Sequence, residues 1–399
     1  MIRGNLSSKH IQNELKKRFL SPQGFLYDYA GGDGEVELPT PDECLANFPN
    51  VFGWWTPIEN GAFFTGDYLL GLLRNTREGA TEERIQWCRT LLHGLFRLQD
   101  AAETEGCILR GLGSDGKCHY PATSCDQVVP WLLALYEYQR HPMATAEERT
   151  ECRSRLLRVL TALRALNWTI PGEKPGCERG SFLSGSSPAE ATVSSVNHLL
   201  ATALLAELNG NDTDRALHRQ SAADPLPFGG TRLDILENGF STHPLWMGWF
   251  LAHTVYAMRL LSEISPLPEV RKAAQKGIDS SARHFLPALP EWKRWVRGSA
   301  FSPNWRICRS RWIPHDNCAE GEKIALAELP LWNAESPRIK EEKNTIRHAL
   351  AAGWIVLLCE DPDLKAEARK LLSGVFETLP LEELGDASFY LLENILAEW

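Results

Sequence analysis

The chain has 399 residues, 43% of them hydrophobic and 23% charged, with a net charge of −9. That balance suits a folded, water-compatible chain, the acidic excess argues against nucleic acid as a partner, and no apolar run approaches the ~20 residues of a membrane span. Length alone leaves open two ordinary domains or one large closed one.

The amino terminus, MIRGNLSSKHIQNELKKRFL, is basic but lacks the apolar centre of a secretory signal, so a cytoplasmic location is expected. A short amphipathic helix is expected near Ile11–Phe19, followed by a loop rich in Gly and Pro. Residues 1–52 thus precede the first core hairpin. Next comes GWWTPIENGAFFTGDYLLGLLR, residues 53–74, around which the chain is organised. Thr56 reads as an N-cap, Pro57 as the first helical residue and Glu59 as the third, a capping box. The body of this helix is apolar on nearly every side, so it reads as an inner helix. Gly61, Gly66 and Gly71 would let neighbouring backbones come close.

Helices then follow in pairs: Ile58–Arg74 with Glu82–Ala102, Cys125–Arg140 with Ala146–Asn167, and Ala189–Asn209 with Thr213–Ala223. Pro244–Glu263 with Glu269–Phe285, Ala319–Trp332 with Pro337–Cys359, and Leu364–Thr378 with Leu381–Ala397 complete the set. No strand-period alternation supports a sheet. Turns within pairs are short and loops between pairs long, which joins antiparallel neighbours and puts the long loops on one rim. A coarse repeat of this kind fits a single-domain toroid of helical hairpins over residues 1–399.

The first helix of each pair would present its N-terminal polar groups to that rim: Glu59 and Asn60, Asp126 and Gln127, Asn197 and His198, His243, and Asp316, Asn317 and Glu320. Two carboxylates at neighbouring inner helices, Glu59 and Asp126, are what acid/base chemistry on a glycosidic or enol-ether bond requires. Capping accounts for the same residues without chemistry: Ser124-Cys-Asp-Gln127 and Ser187-Pro-Ala-Glu190 both follow the box pattern. The glycine-rich loop before Asp126 adds Asp115, His119 and Tyr120 but lacks the Lys-Ser/Thr of a phosphate cradle. His198 sits in an apolar helix, where a core role competes with a titrating one; His253 and His284 carry less weight. The last long loop interleaves Trp292, Trp295, Trp305 and Trp312 with Arg294, Arg297, Arg306, Arg309 and Arg311. Aromatic faces stack on sugars and arginine forks grip carboxylates, so one or two of these are expected to reach a ligand. Trp246 and His315 join the substrate-binding candidates. The ten cysteines lack a C-x-x-C pair and read as reduced thiols; Cys107, Cys118 and Cys125 fit no zinc spacing, so no metal or other cofactor is expected.

The Trp-Trp-Thr-Pro-Ile-Glu-Asn mouth (54–60) and the Ser-Cys-Asp-Gln helix start (124–127), on paired helices, resemble the six-hairpin glycosidase superfamily. The resemblance implies an (α/α)6 barrel. Unsaturated glucuronyl and rhamnogalacturonyl hydrolases look nearest, and they use an aspartate at the mouth of an inner helix to protonate an unsaturated uronide. That role would fall on Asp126, although those families often carry two adjacent aspartates where this chain has Cys125-Asp126. A uronate-releasing glycosidase of the same barrel fits equally. Two alternatives stay open: a toroidal polysaccharide lyase using Asn197, His198 or His119, and Tyr120, and a non-catalytic helical scaffold binding glycan or peptide.

Overall fold

Side-chain caps set where about half of the helices begin. In the computed structural model, which describes residues 7–77, 79–183, 185 and 188–399 (backbone alone for 188–190), all regular elements among the described residues are helical, with four isolated β-bridges. Residues 1–6, Ser187 and the side chains of Pro188, Ala189 and Glu190 lie outside what is described. α1 (Ser8–Glu14) runs into a π turn, Leu15–Phe19, and α2 (Pro41–Leu45) starts from a Thr40/Glu43 capping box. α3 (Gly61–Asn75) and α4 (Glu82–Asp100, capped by Thr81) are followed by α5 (Cys125–Arg140) and α6 (Ala146–Ala165). A second capping box, Thr145/Glu148, opens α6. α7 (Pro188–Asn209), α8 (Asp212–Ala223), α9 (Arg232–Asn238), α10 (Gly248–Ile264) and α11 (Pro268–Phe285) come next. The chain finishes with α12 (Cys318–Glu335), α13 (Pro337–Glu342), α14 (His348–Leu357), α15 (Pro362–Thr378) and α16 (Leu391–Ala397). A π turn, Lys343–Arg347, joins α13 to α14.

α3 is the centre of the packing. Every residue from Gly61 to Leu73 is buried, and the helix lies against α4, α5 and α16. Its three glycines are contact points: a Cβ at Gly61 would lie 2.5 Å from the Arg110 carbonyl, at Gly66 2.8 Å from Pro130 of α5, and at Gly71 2.7–2.9 Å from Asn394 and Glu393 of α16. α10 packs against α7, α11 and α14, and α14 against α11, α15 and α16. No helix among the described residues is long and apolar enough to cross a membrane.

Two sequence expectations need correction. In the fifth and sixth pairs the buried helix is the second one: α14 is buried on all sides, whereas α12 leaves Leu326 exposed and lies on the short turn Trp305–Ser310. The pattern Ala349–Cys359, apolar at nearly every position, carries that signal. The expected helix 381–397 is two short 3-10 turns, Leu381–Glu383 and Ala387–Tyr390, leading into α16. Between them the amides of Gly385 and Asp386 bond to the buried Glu342 carboxylate instead of to a helical carbonyl.

Candidate active site

A cavity of about 970 Å³ opens where the entry to α3, the start of α5, the starts of α7 and α10 and the π turn 343–347 meet. Its walls include Trp54, Trp55, Glu59, Asn60, Asp126 and Trp246 of the residues singled out in the sequence.

The Trp54–Asn60 mouth is not the capping box that its sequence suggests. α3 begins at Gly61 with Asn60 at the N-cap, and the Thr56 hydroxyl donates to the Gly53 carbonyl at 2.5 Å. Long-range partners outcompete the local cap. The Asn60 amide and side chain both donate to Asp28 at 2.6 Å, and Arg110 holds the Glu59 carbonyl at 3.0 Å. Glu59 Oε2 instead accepts from the Trp55 amide at 3.0 Å, leaving a carboxylate 9% exposed in the cavity wall. Trp55 has φ +71°, a left-handed conformation that costs a non-glycine residue of order 1 kcal/mol or more. It is held there at three points: Glu59, the Tyr29 hydroxyl on its carbonyl at 2.6 Å, and its own indole N–H on the Ala325 carbonyl at 3.2 Å. Gly53, φ +62°, has the Tyr120 ring where a side chain would begin.

Asp126 stands on the first turn of α5 and is partly exposed. Ser124 does not cap the helix; its hydroxyl donates to Asp126 Oδ1 and accepts from Arg110 at 2.6 Å. Arg110 is buried, and its guanidinium donates to two carbonyls and this hydroxyl, with no carboxylate in salt-bridge range among the described residues. Burial pushes that guanidinium below its ordinary value, and the nearby Asp126 and Glu59 oppose the shift. One buried cation therefore ties the backbone of Glu59 to the carboxylate of Asp126. Behind them Asp28 is driven up to about 8 by burial first and the Glu59 charge second.

Further wall residues were not singled out by the sequence. Arg179 lies over Phe52 and Trp54 and pairs with Glu322 at 3.2 Å. The π turn brings Lys343, Asn344 and Arg347 to the cavity; Arg347 is anchored on Asp386 at 2.6 Å, whereas Lys343 has no salt bridge among the described residues. Such one-turn widenings recur at functional sites. His253, given less weight in the sequence, also lines the wall, edge-on to Phe63, with Nδ1 3.8 Å from Asp67 Oδ2. Burial raises the Asp67 carboxyl.

The other sequence candidates are placed elsewhere. Gln127 is buried between helices, accepting from the Phe63 amide and donating to Asn60, both at 3.1 Å. Asp115 shapes its loop by accepting from the amides of Lys117 and Cys118, which hold it below the usual carboxylate range. His119 bonds locally to the Lys117 carbonyl, and the Tyr120 hydroxyl is spent on the Phe48 carbonyl. His198 is a core group, edge-on to Trp168 and bonded to Ser221 at 2.9 Å; burial lowers it to about 3. His243 packs on Phe240, and its carbonyl meets His284. The long loop 286–317 contributes nothing to the cavity wall. Trp305 is fully buried with its N–H on the Glu37 carbonyl, Arg306 forks onto Glu43 and Glu37, and Arg297 lies exposed beside Glu383. His315 accepts from the Val51 amide at 3.2 Å, and Asp316 faces solvent near Lys174. Trp305, Arg306 and His315 pin the loop to the N-terminal segment. Among the described residues no group of three or more His, Cys, Asp or Glu is placed to hold a metal ion.

Compared with known proteins, the chain matches no family model, no curated protein and no solved structure.

Proposed function

We propose that the chain is a glycoside hydrolase acting on an oligosaccharide that bears a uronic acid, with Asp126 as general acid/base and Glu59 as its partner. The observation that carries this reading is the pairing of Glu59 and Asp126 in one large cavity, tied together through Arg110 and Ser124. Asp126 is the more accessible carboxylate and exchanges the proton with the ligand. Ser124 and Arg110 fix its orientation. Glu59, gripped by the Trp55 amide, supplies the second carboxylate that water activation requires. Lys343, free of a salt bridge among the described residues, meets the substrate carboxylate, and Trp246 at the rim offers an aromatic face to a sugar ring.

The same reading extends to the architecture. The packing order α5–α3–α16–α14–α10–α7 is the order an inner ring of helices would have, with α1, α4, α6, α8, α11 and α15 outside it. We read it as the (α/α)6 arrangement of the six-hairpin glycosidases, to which the mouth and helix-start motifs bear their resemblance. The lyase alternative keeps Asn197 in the cavity wall but loses its base and acid, because His119, His198 and Tyr120 are committed to contacts outside that wall.

The test is activity on aryl glycosides and on lyase-generated unsaturated oligosaccharides, following phenol release and the absorbance of the unsaturated uronide. Loss of that absorbance supports hydration chemistry with Asp126 as donor. Phenol release alone supports direct hydrolysis by the pair. Inactivity on both classes overturns the proposal.

A further inference from the structure

Resting on that reading, a second part of the cavity has a chemistry of its own. Asn197, on α7, is 1% exposed and lines the cavity, yet neither its amide nitrogen nor its oxygen has a hydrogen-bond partner among the described residues. Buried polar side chains are almost always paired, because an unmet donor or acceptor forfeits its hydration without return. Here one side chain leaves both kinds of group unmet, side by side, at the wall of a space large enough for sugar rings.

The surroundings define what fits. Val193 lies one turn before Asn197 on α7, and Trp246 and Phe250 lie one turn apart at the start of α10, which packs against α7. The ring of Trp249 is already engaged, stacked on Phe63 at 5.6 Å with the Arg347 guanidinium 5.1 Å away. Trp246 is 58% exposed, with no ring or cation contact among the described residues, and is the open aromatic face. The cavity's acidic and cationic groups stand on other elements: Glu59, Asp126, Arg110, Arg179 and the π turn. Among the described residues the α7–α10 wall carries His253 as its one titratable group.

We infer that this wall is a subsite for a neutral pyranose adjoining the acidic sugar, stacked on Trp246 and read by Asn197 through two adjacent hydroxyls. One hydroxyl donates to Asn197 Oδ1 and its neighbour accepts from Nδ2, which satisfies both orphaned atoms at once. The substrate is then at least a disaccharide with one uncharged unit, and Asn197 is its specificity residue.

The test compares wild type with Asn197→Leu in two measurements. The first is binding of methyl β-D-glucopyranoside, methyl β-D-xylopyranoside and methyl β-D-galactopyranoside by saturation-transfer NMR. The second is the urea unfolding midpoint. At least one glycoside should bind wild type and bind Asn197→Leu about ten- to a hundredfold more weakly, as the loss of two hydrogen bonds implies. The vicinal dideoxy analogue of that glycoside should bind both proteins equally. The unfolding midpoint should hold or rise, since an apolar group replaces an unpaired buried amide. A fall in midpoint would make Asn197 an internal structural donor and overturn the inference, as would equal binding by both proteins or binding of none of the glycosides. Asn197→Ala adds no bulk and gives the same readouts if the leucine variant does not fold. Turnover by the wild type of the aryl glycosides and unsaturated oligosaccharides separates the two ideas. Glycoside binding by a wild type that converts neither substrate class keeps the subsite and removes the hydrolase; turnover indifferent to Asn197 does the reverse.

Discussion

Gly66→Ala tests the helix contact that positions both carboxylates. A Cβ at residue 66 would lie 2.8 Å from the carbonyl carbon, carbonyl oxygen and Cβ of Pro130, short of the 3.4 Å at which ordinary contact begins. These atoms are backbone and a closed ring, so none can rotate aside, and α3 and α5 must part by about half an ångström. Overpacking of this kind costs about 1–3 kcal/mol. Alanine returns about 1 kcal/mol of helix propensity over glycine, leaving a net loss of up to about 2 kcal/mol. The assay is the urea midpoint beside that of Gly32→Ala, where an added Cβ meets nothing within 4 Å. Gly66→Ala should unfold earlier and Gly32→Ala should not. Glu59 leads into α3 and Asp126 opens α5, so the same shift should lower turnover by about ten- to a hundredfold. Stability rising by about the 1 kcal/mol of propensity alone would show that the helices do not meet as closely as described.

Other consequences follow from the buried charges and caps. Asp386→Asn strands the buried Arg347, whose pairing distance is 2.6 Å, and should destabilise by about 3–5 kcal/mol in chemical denaturation, with much of the loss recovered in Arg347→Met/Asp386→Asn. Burial raises the Glu328 carboxyl to about 8, against one bond from Asn50. The unfolded carboxyl ionises near 4.5 while the folded one stays protonated, so the stability this group allows is full below that pH and is lost as pH rises towards 8. Glu328→Gln should therefore gain on wild type progressively from about pH 4.5 to pH 8 in pH-resolved melts, and a constant difference would refute the assignment. Thr145→Ala removes the α6 capping box and should cost about 1 kcal/mol, whereas a loss as large as a core cavity would mean that Thr145 does more than cap.

Much of the scaffold was legible because its signals are local. The run Cys125–Arg140 is helical from end to end as its pattern implied, and the three glycines of α3 meet the neighbours that their spacing anticipated. Part of the cavity wall was legible too, since the tryptophans and carboxylates of 54–60 and Asp126 share it with Trp246. What stayed hidden depends on partners far along the chain. Asp28 displaces the Thr56 cap from 32 residues upstream of Asn60, and Arg110 ties together two motifs that lie on either side of it. The Trp/Arg loop looked like a ligand surface because its acidic partners, Glu37 and Glu43, lie more than 260 residues earlier. The π turn at Lys343–Arg347 leaves no mark in a helical pattern, yet it carries the cavity's Lys343 and Arg347.

The most direct measurement of the central claim is the turnover of Asp126→Asn on whichever glycoside or unsaturated uronide the wild type converts, with the unfolding midpoint recorded alongside. A catalytic Asp126 predicts a loss of about 10²- to 10⁴-fold in kcat, with KM changed little and the midpoint preserved. Turnover within a few-fold of wild type in a folded variant would contradict it and leave Asp126 as an ornament of the α5 start.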